Sequence, residues 1–321
     1  VRLLLVRLSA IGDVLHTLPA LEVLRAAAPD AELTWVVEPA AAPLLAGHPA
    51  LDRVVVLDRR AVQHGPRRLG ALRMAARALL ALRGARFDAA LDLQGLLRSA
   101  AVARASGAAR VFGPAWAREG ARHLYTDSLD LPRPGEAHAV ERYVVGARLA
   151  ARALGLAPAD GPTPRARLGL ALPGPASVRR AVLLPGAGKP ANRPSAALLA
   201  RVADLLAAQD LEVVLVGGRG DVPRARAVVA RCTRARPLDL TGRHSLPETA
   251  ALLSGAAVVV GGDTGPLHLA RVLGRPVVAL FHVADPARTS PAGLPGDAPV
   301  RLLRGEEVEA ERVAAAIGEL L

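Results

Sequence analysis

The stretch "VVVGGDTGPLHLARVLGRPVVALF", residues 258–281, reads as strand, turn, helix and strand in quick succession. The runs at Val258–Val260 and Val277–Phe281 are short and rich in valine, which suits buried strands. A helix joining two successive strands makes them parallel, so this one stretch points to an α/β fold. Gly261 and Gly262 give a tight exit from the first strand, and Thr264 can cap a helix that begins near Pro266. Backbone amides around Thr264 and Gly265 then form an anion site of the kind that holds phosphates. Asp263 is out of place there, because a carboxylate beside a phosphate is repelled. Its oxygens suit a neutral partner better, such as the hydroxyls of a sugar. A plain strand–cap–helix turn accounts for the same residues without any ligand.

The same alternation continues in both directions. Upstream, "RAVLLPG", "LEVVLVGG" and "PLDLTG" read as strands separated by "SAALLARVADLLAAQ", "VPRARAVVARC" and "SLPETAALLSG" as helices. Further back, "RLLLVRL", "AELTWVVE", "DRVVVLD", "FDAALDLQ" and "ARVFG" alternate with "VLHTLPALEVLRAAA", "RRLGALRMAARALLALR" and "GLLRSAAVARA". A long helix, "HAVERYVVGARLAARALG", leads into "LAPADGPTPRARLGLALPGPAS", whose Pro and Gly content marks a linker. The expected architecture is α/β, two doubly wound Rossmann-like domains, 1–160 and 161–321, facing an interdomain cleft. The last helix, within 306–321, is able to pack back on the first domain. Open α/β sheets bind ligands at the carboxyl ends of their strands. Asp13, in "AIGDVLH" after the first strand, would therefore face the cleft. Helix capping explains an Asp at that point, and capping and chemistry need not compete.

Composition narrows the function classes. At 321 residues, half of them apolar and 22% charged, the chain can bury two cores. Aromatics are 2%, so Leu and Val must supply the bulk. Cys232 is the single cysteine, which excludes an internal disulfide and fits a reducing cytoplasm. Arg7 and Asp13 interrupt the signal-like start, and no run approaches the roughly 20 apolar residues of a membrane span. A soluble, cytoplasmic protein is expected.

The net charge of +12 is unevenly spread. Between Arg53 and Arg122 fourteen arginines face only Asp58, Asp88, Asp92 and Glu119. Such a stripe suits an anionic membrane, a phosphorylated ligand or nucleic acid. The sequence has neither zinc-finger spacing nor an aromatic stacking platform, so nucleic acid is not expected. A solvated arginine-rich face is the bland alternative.

Two further Gly-rich turns follow strands. "LLPGAGKPANRP" lacks P-loop spacing, but Gly186 and Gly188 allow a ligand close to the backbone. Lys189 offers a point charge there, and it is the only lysine in the chain. In "LVGGRGDVPRARA", Asp221 stands where an acidic residue can take ribose hydroxyls. The pairs Asp88/Asp92 and Asp127/Asp130 have the wrong spacing for a metal, so no metal site and no cofactor are expected. Helix amides, Lys189 and arginines would then meet the charge of a bound diphosphate.

Taken in order, "GDVLHTLPAL", "LDLQGLLRSA", "HAVERY", "PGAG", "DLTGRHSLPE", "GGDTGPLHLA" and "DPARTSP" resemble glycosyltransferase family 9, which contains the ADP-heptose:lipopolysaccharide heptosyltransferases. The likeness spans essentially the whole chain, and the first motif is nearer heptosyltransferase I than II. The resemblance implies a GT-B fold with an acceptor-binding first domain and a second domain that binds ADP-heptose. It implies inverting, metal-independent transfer to a 3-deoxy-manno-octulosonic acid (Kdo) residue of inner-core lipopolysaccharide. Carried over by position, Asp13 is the catalytic base. Asp263 would hold donor heptose hydroxyls, Thr264 and Gly265 the diphosphate, with His268 beside them. Asp221 takes the place of a ribose-binding Glu, and His244 falls in the region lining the adenine. Arg59, Arg60 and Arg118 match arginines that meet the acidic acceptor, a Kdo–lipid A type molecule at the anionic inner-membrane surface.

The chain departs from the family in two places. "ANRP" stands one residue shorter than the usual Lys-x-Trp-Pro, which leaves Lys189 or Arg193 to replace the family lysine. His282-Val283-Ala284 replaces Gly-Pro-Thr before Asp285-Pro286. A GT-B-shaped binding protein without turnover and a sugar 2-epimerase are the alternative readings.

Overall fold

The computed structural model describes residues 1–58, 68–173, 179–283, 285–305 and 308–321. Arg59 and Arg60 lie outside the described residues. The chain divides into two compact units, Val1–Leu170 and Ala171–Leu321.

The first unit contains strands β1 (Arg2–Val6), β2 (Glu32–Val37), β3 (Arg53–Val56), β4 (Ala89–Asp92), β5 (Arg110–Pro114) and β6 (Asp127–Leu129). Its longer helices are α1 (Ile11–Ala27), α2 (Arg68–Gly84), α3 (Leu97–Ala105) and α4 (Ala139–Ala153). The strands are parallel, in the order β3-β2-β1-β4-β5-β6. In the second unit the strands are β7 (Arg180–Leu184), β8 (Glu212–Leu215), β9 (Leu238–Asp239), β10 (Val258–Gly262), β11 (Val277–Phe281) and β12 (Val300–Arg304). Helices α5 (Ala196–Ala207), α6 (Val222–Val229), α7 (Leu246–Ser254), α8 (Gly265–Val272) and α9 (Ala310–Gly318) accompany them. This sheet is also parallel, in the order β12-β11-β10-β7-β8-β9.

Counted from the first strand of each unit, both sheets run 3-2-1-4-5-6, the doubly wound order. The chain reverses its winding beside β1 and β4 in one sheet, and beside β7 and β10 in the other. Loops leaving those strand pairs diverge to opposite faces and leave room for a ligand. The central strands carry buried apolar runs, as parallel strands covered on both faces do. Leu3, Leu4, Leu5 and Val6 are all buried, as are Val258, Val259 and Val260.

The last helix packs within the second unit. Val313 and Ile317 of α9 are fully buried in one cluster with Ala181, Leu199 and Val202. Burying two such side chains stabilises by roughly 1.5–3 kcal/mol each, so the apolar face of α9 is already used.

Part of the expected linker is held by the first unit. Arg148 donates to the Gly161 carbonyl at 2.6 Å, and Arg167 is paired with half-buried Glu22 at 3.8 Å. The His48 ring accepts from the Ala50 amide through Nδ1, so its Nε2 donates to the Arg167 carbonyl at 3.1 Å. A Cβ on Gly169 would lie 2.2 Å from the Gly47 carbonyl carbon, so two glycine backbones lie against each other. These contacts place the unit boundary at 170, not 160.

Candidate active site

Helix α1 starts one residue after Ala10, so Asp13 is its third residue and not its cap. The Asp13 carboxylate reaches back to the Ala10 amide, 3.3 Å from Oδ2. Ala10 has no side-chain acceptor to answer it, so this is half a capping box. The stronger contact is with Arg7, whose Nη2 lies 2.8 Å from Asp13 Oδ1. Tyr143 of α4 donates its hydroxyl to the same oxygen at 3.4 Å, and its ring lies 4.8 Å from the Arg7 guanidinium. Oδ1 is therefore engaged twice, whereas Oδ2 has one long bond. The Asp13 side chain is one-third exposed and Arg7 is buried.

Arg7 is held at both terminal nitrogens of its guanidinium. Its Nη1 donates to the Leu93 carbonyl at 2.8 Å, while its own carbonyl accepts from Trp35 Nε1 at 3.1 Å. Burial, the largest single influence, would lower its pKa, but Asp13, by charge and hydrogen bond, with Tyr143 and Asp92 together outweigh it and hold the guanidinium above its ordinary value. Burial pushes the Tyr143 hydroxyl up to about 12, with Arg7 opposing the rise and Asp13 adding to it. Tyr143 therefore stays a neutral donor near pH 7.

The rim beside β1 comes from β4. Gln94 Oε1 accepts from the Leu8 amide at 3.0 Å, which ties the two strand ends together. Asp92 is fully buried and accepts from the Gln94 amide, Ser99 and Tyr125 at 2.7–2.8 Å. Burial raises its pKa even so. Asp92 also accepts the Gly95 amide at 3.3 Å and so fixes the turn after β4. The Gly95 carbonyl in turn accepts the Arg118 amide at 3.0 Å. That contact sets the backbone of Arg118 at the β4 strand end, and the residue is exposed. Trp116 lies nearby, with the Arg142 guanidinium 5.6 Å from its ring.

In the second unit the switch point is formed by the loops after β7 and β10. Asp263 and Thr264 follow β10, and Thr264 occupies the cap position of α8 in extended conformation. Its side chain makes no capping bond, and the first-turn amides of a helix have no acceptor within the helix. Asp263 Oδ1 lies 3.1 Å from Nε2 of buried His268. A Cβ on Gly262 would meet the Asn192 carbonyl oxygen at 2.1 Å, so glycine lets the β10 exit touch the loop after β7.

The residues singled out in that loop divide into two groups. Gly186 lies directly under the Asp221 carboxylate, since a Cβ there would be 2.3 Å from Oδ1. Asp221 Oδ2 also accepts the Gly218 amide at 3.0 Å. Gly188 and Lys189 are exposed. Arg193 engages the Ala187 carbonyl through Nε at 3.4 Å, which leaves Lys189 the more accessible cation. His244 is half-buried after β9, and its Nδ1 has no hydrogen-bond partner among the described residues. Also among the described residues, no three His, Cys, Asp or Glu side chains come together as a metal site, and no helix is long and apolar enough to cross a membrane.

Known proteins share both the fold and the sequence. The model of glycosyltransferase family 9 (heptosyltransferase) matches residues 76–294. The chain belongs to glycosyltransferase family 9. Lipopolysaccharide heptosyltransferase 1 of Salmonella typhimurium is 32% identical over 295 residues, covering 89% of each chain. Its counterpart in Escherichia coli K12 is 31% identical over 299 residues, again covering 89% of each. The structure of the E. coli heptosyltransferase WaaC with ADP superposes with a TM-score of 0.84 at 27% identity and covers all of both chains. The fold is thus GT-B, built from two Rossmann-like units, and this family 9 member is a glycosyltransferase.

Sequence reasoning missed three side chains that position this glycosyltransferase's strand-end loops. Arg7 registers in the sequence only as a break in an apolar run, yet a charge at the end of a buried strand needs a partner close by. Tyr143 closes the "HAVERY" motif but carries no signal of its contact with Asp13. Arg224 of α6 donates to the carbonyls of Pro185 and Pro194 at 3.0 and 2.8 Å, so it clamps both ends of the loop after β7. In an arginine-rich chain it cannot be told from its neighbours.

Proposed function

We propose that this protein transfers heptose from ADP-heptose to a Kdo residue of inner-core lipopolysaccharide, with inversion and without a metal ion. The observation that carries the reading is the asymmetry of the Asp13 carboxylate. Arg7 and Tyr143 hold Oδ1, while Oδ2 has one 3.3 Å bond on a side chain that is one-third exposed. A sugar hydroxyl is a poor nucleophile until its proton is removed, and a fixed carboxylate can accept that proton during attack. In the proposed step the acceptor oxygen bonds to the anomeric carbon of heptose. The bond from that carbon to the diphosphate breaks, ADP departs with the electron pair, and the proton passes to Asp13.

The second unit would hold the donor. Amides at Thr264 and Gly265, with Lys189, would meet the diphosphate, and Asp263 beside His268 would take heptose hydroxyls. Asp221 would reach the ribose, and His244 would lie beside the adenine. Exposed Gly188 would let the nucleotide approach the backbone, while Gly186 makes room for the Asp221 carboxylate. Support for this donor comes from related proteins, since WaaC has been solved with ADP and with ADP-2-deoxy-2-fluoro heptose. Arg118, with Arg59 and Arg60, would meet the acidic acceptor on the first unit. Because that acceptor is a lipid, the protein would work in the cytoplasm at the anionic face of the inner membrane.

The test is transfer from ADP-heptose to a water-soluble Kdo acceptor, in EDTA, with the product's anomeric configuration read by NMR. Inverted product at the same rate with and without EDTA is expected. Retained configuration, or activity that returns only with magnesium, would overturn the mechanism.

A further inference from the structure

Helix α2 has a face that the rest of the first unit does not cover. Its inner side is used: Leu82 is buried, and Ala78 and Leu79 pack against the core around Leu4, Val6 and Val111. Leu72, Met74 and Leu80 are instead 55%, 71% and 68% exposed. Single exposed apolar side chains are ordinary, but three long ones on a single 17-residue helix are not.

At about 100° per residue, exposed Arg73 and Arg77 share one ridge of this helix. Leu72, Ala76, Leu80 and Arg83 form the ridge on one side, and Met74 with Ala81 lies on the other. The sequence contains no Asp or Glu between Asp58 and Asp88. The outward face is therefore a basic row with apolar flanks, on a helix with no acidic residue of its own.

We propose that α2 is the surface by which the protein docks on an anionic lipid bilayer. It would lie in the plane of the interface, its arginines at the lipid phosphates and Leu72, Met74 and Leu80 at the boundary with the acyl chains. The inference deepens the membrane contact of the proposed function by naming its surface. Charge complementarity selects this occupant. A second copy would bring the same positive row against itself. An acidic protein could meet the arginines, but apolar groups on both flanks do not form the single pocket that a partner's anchors fill. Lipid adapts to such a spread, and arginine can keep its stem in the apolar layer with its head among phosphates.

Vesicle sedimentation tests this with the full chain and no donor or acceptor, so its result is independent of the proposed chemistry. Vesicles of phosphatidylcholine alone are compared with vesicles containing about one-third phosphatidylglycerol. Wild-type protein should bind the anionic vesicles and come off as salt rises from about 0.1 to about 0.5 M. Replacing Arg73, Arg77 and Arg83 by Gln should weaken partition about fivefold for each arginine, or about a hundredfold together. Leu72→Gln with Met74→Gln and Leu80→Gln should lower it about tenfold or more, and transfer to a soluble acceptor should stay intact. All six side chains are exposed, and circular dichroism checks that the variants fold. Wild-type protein that ignores anionic vesicles, or binding that both triple variants retain, would overturn the proposal. Capture of an acidic protein through α2 without vesicle binding would overturn it as well.

Discussion

Asp13→Asn separates the two jobs of that carboxylate, and the structure sets the size of each. Asn keeps an oxygen that can accept the Ala10 amide, so that backbone contact should survive the change. The Arg7 ion pair should not. Removing one partner of a buried ion pair costs about 3–5 kcal/mol, because the other charge is left uncompensated. Arg7 is buried, but Asp13 is one-third exposed, so water shares the load. Discounting by about half for that screening gives about 1.5–2.5 kcal/mol. In a unit of 170 residues this corresponds to a fall in Tm of roughly 4–8 °C. Catalysis should suffer more, with kcat falling at least about a hundredfold and ADP affinity unchanged. Scanning fluorimetry, steady-state transfer and calorimetric ADP binding give the three readings. Arg7→Met in the Asp13→Asn background should recover much of the lost Tm, since no buried charge then lacks a partner, while kcat stays low. If Asp13→Asn lost stability but kept its kcat, Asp13 would be a structural partner of Arg7 and not the base.

Arg118→Ala should raise the acceptor KM and leave ADP binding alone, and Arg59→Ala with Arg60→Ala should do the same; an unchanged KM would remove these arginines from the acceptor site. Gly262→Ala should destabilise the second unit by about 1–3 kcal/mol and weaken ADP binding, because the new Cβ meets the Asn192 carbonyl; an unchanged Tm would show that the loop yields freely. Burial holds the His48 pKa below its ordinary value, so the unfolded chain takes up that proton first. Stability should therefore fall as pH drops below about 6.5, by at most about 1.4 kcal/mol per pH unit. His48→Asn, which can keep the Ala50 bond, should flatten that slope in a series of thermal melts, and equal slopes would contradict the assignment.

The alternation of elements was legible because parallel strands buried on both faces read as unbroken apolar runs. Strands β6 and β12 were not. Asp127–Leu129 is three residues long with two of them polar, and Val300–Arg304 is an edge strand that opens one side to water. The Gly-rich turns were legible as turns, and Gly186 and Gly262 do sit where backbone or carboxylate presses close. What each turn touches was not, since Arg7 with Tyr143 and Gly262 with Asn192 are contacts between distant segments that no local pattern encodes. Asp13 shows the limit well. Its place at a strand-to-helix junction could be read, but its third position in α1 and its buried cationic partner could not.

The glycine-on-glycine contact of 47 and 169 constrains how this chain can be engineered. Exchanging its second half for that of a relative, to alter the sugar nucleotide it accepts, requires a joint in the sequence. The Pro-rich passage after residue 155 invites a cut near 160. Such a cut would replace the residues that cover His48 and neutralise Glu22, and any side chain at 169 would collide with the backbone of Gly47. A chimera joined after Leu170 keeps that seam within its parent, so the working module ends where the contacts end and not where the composition changes.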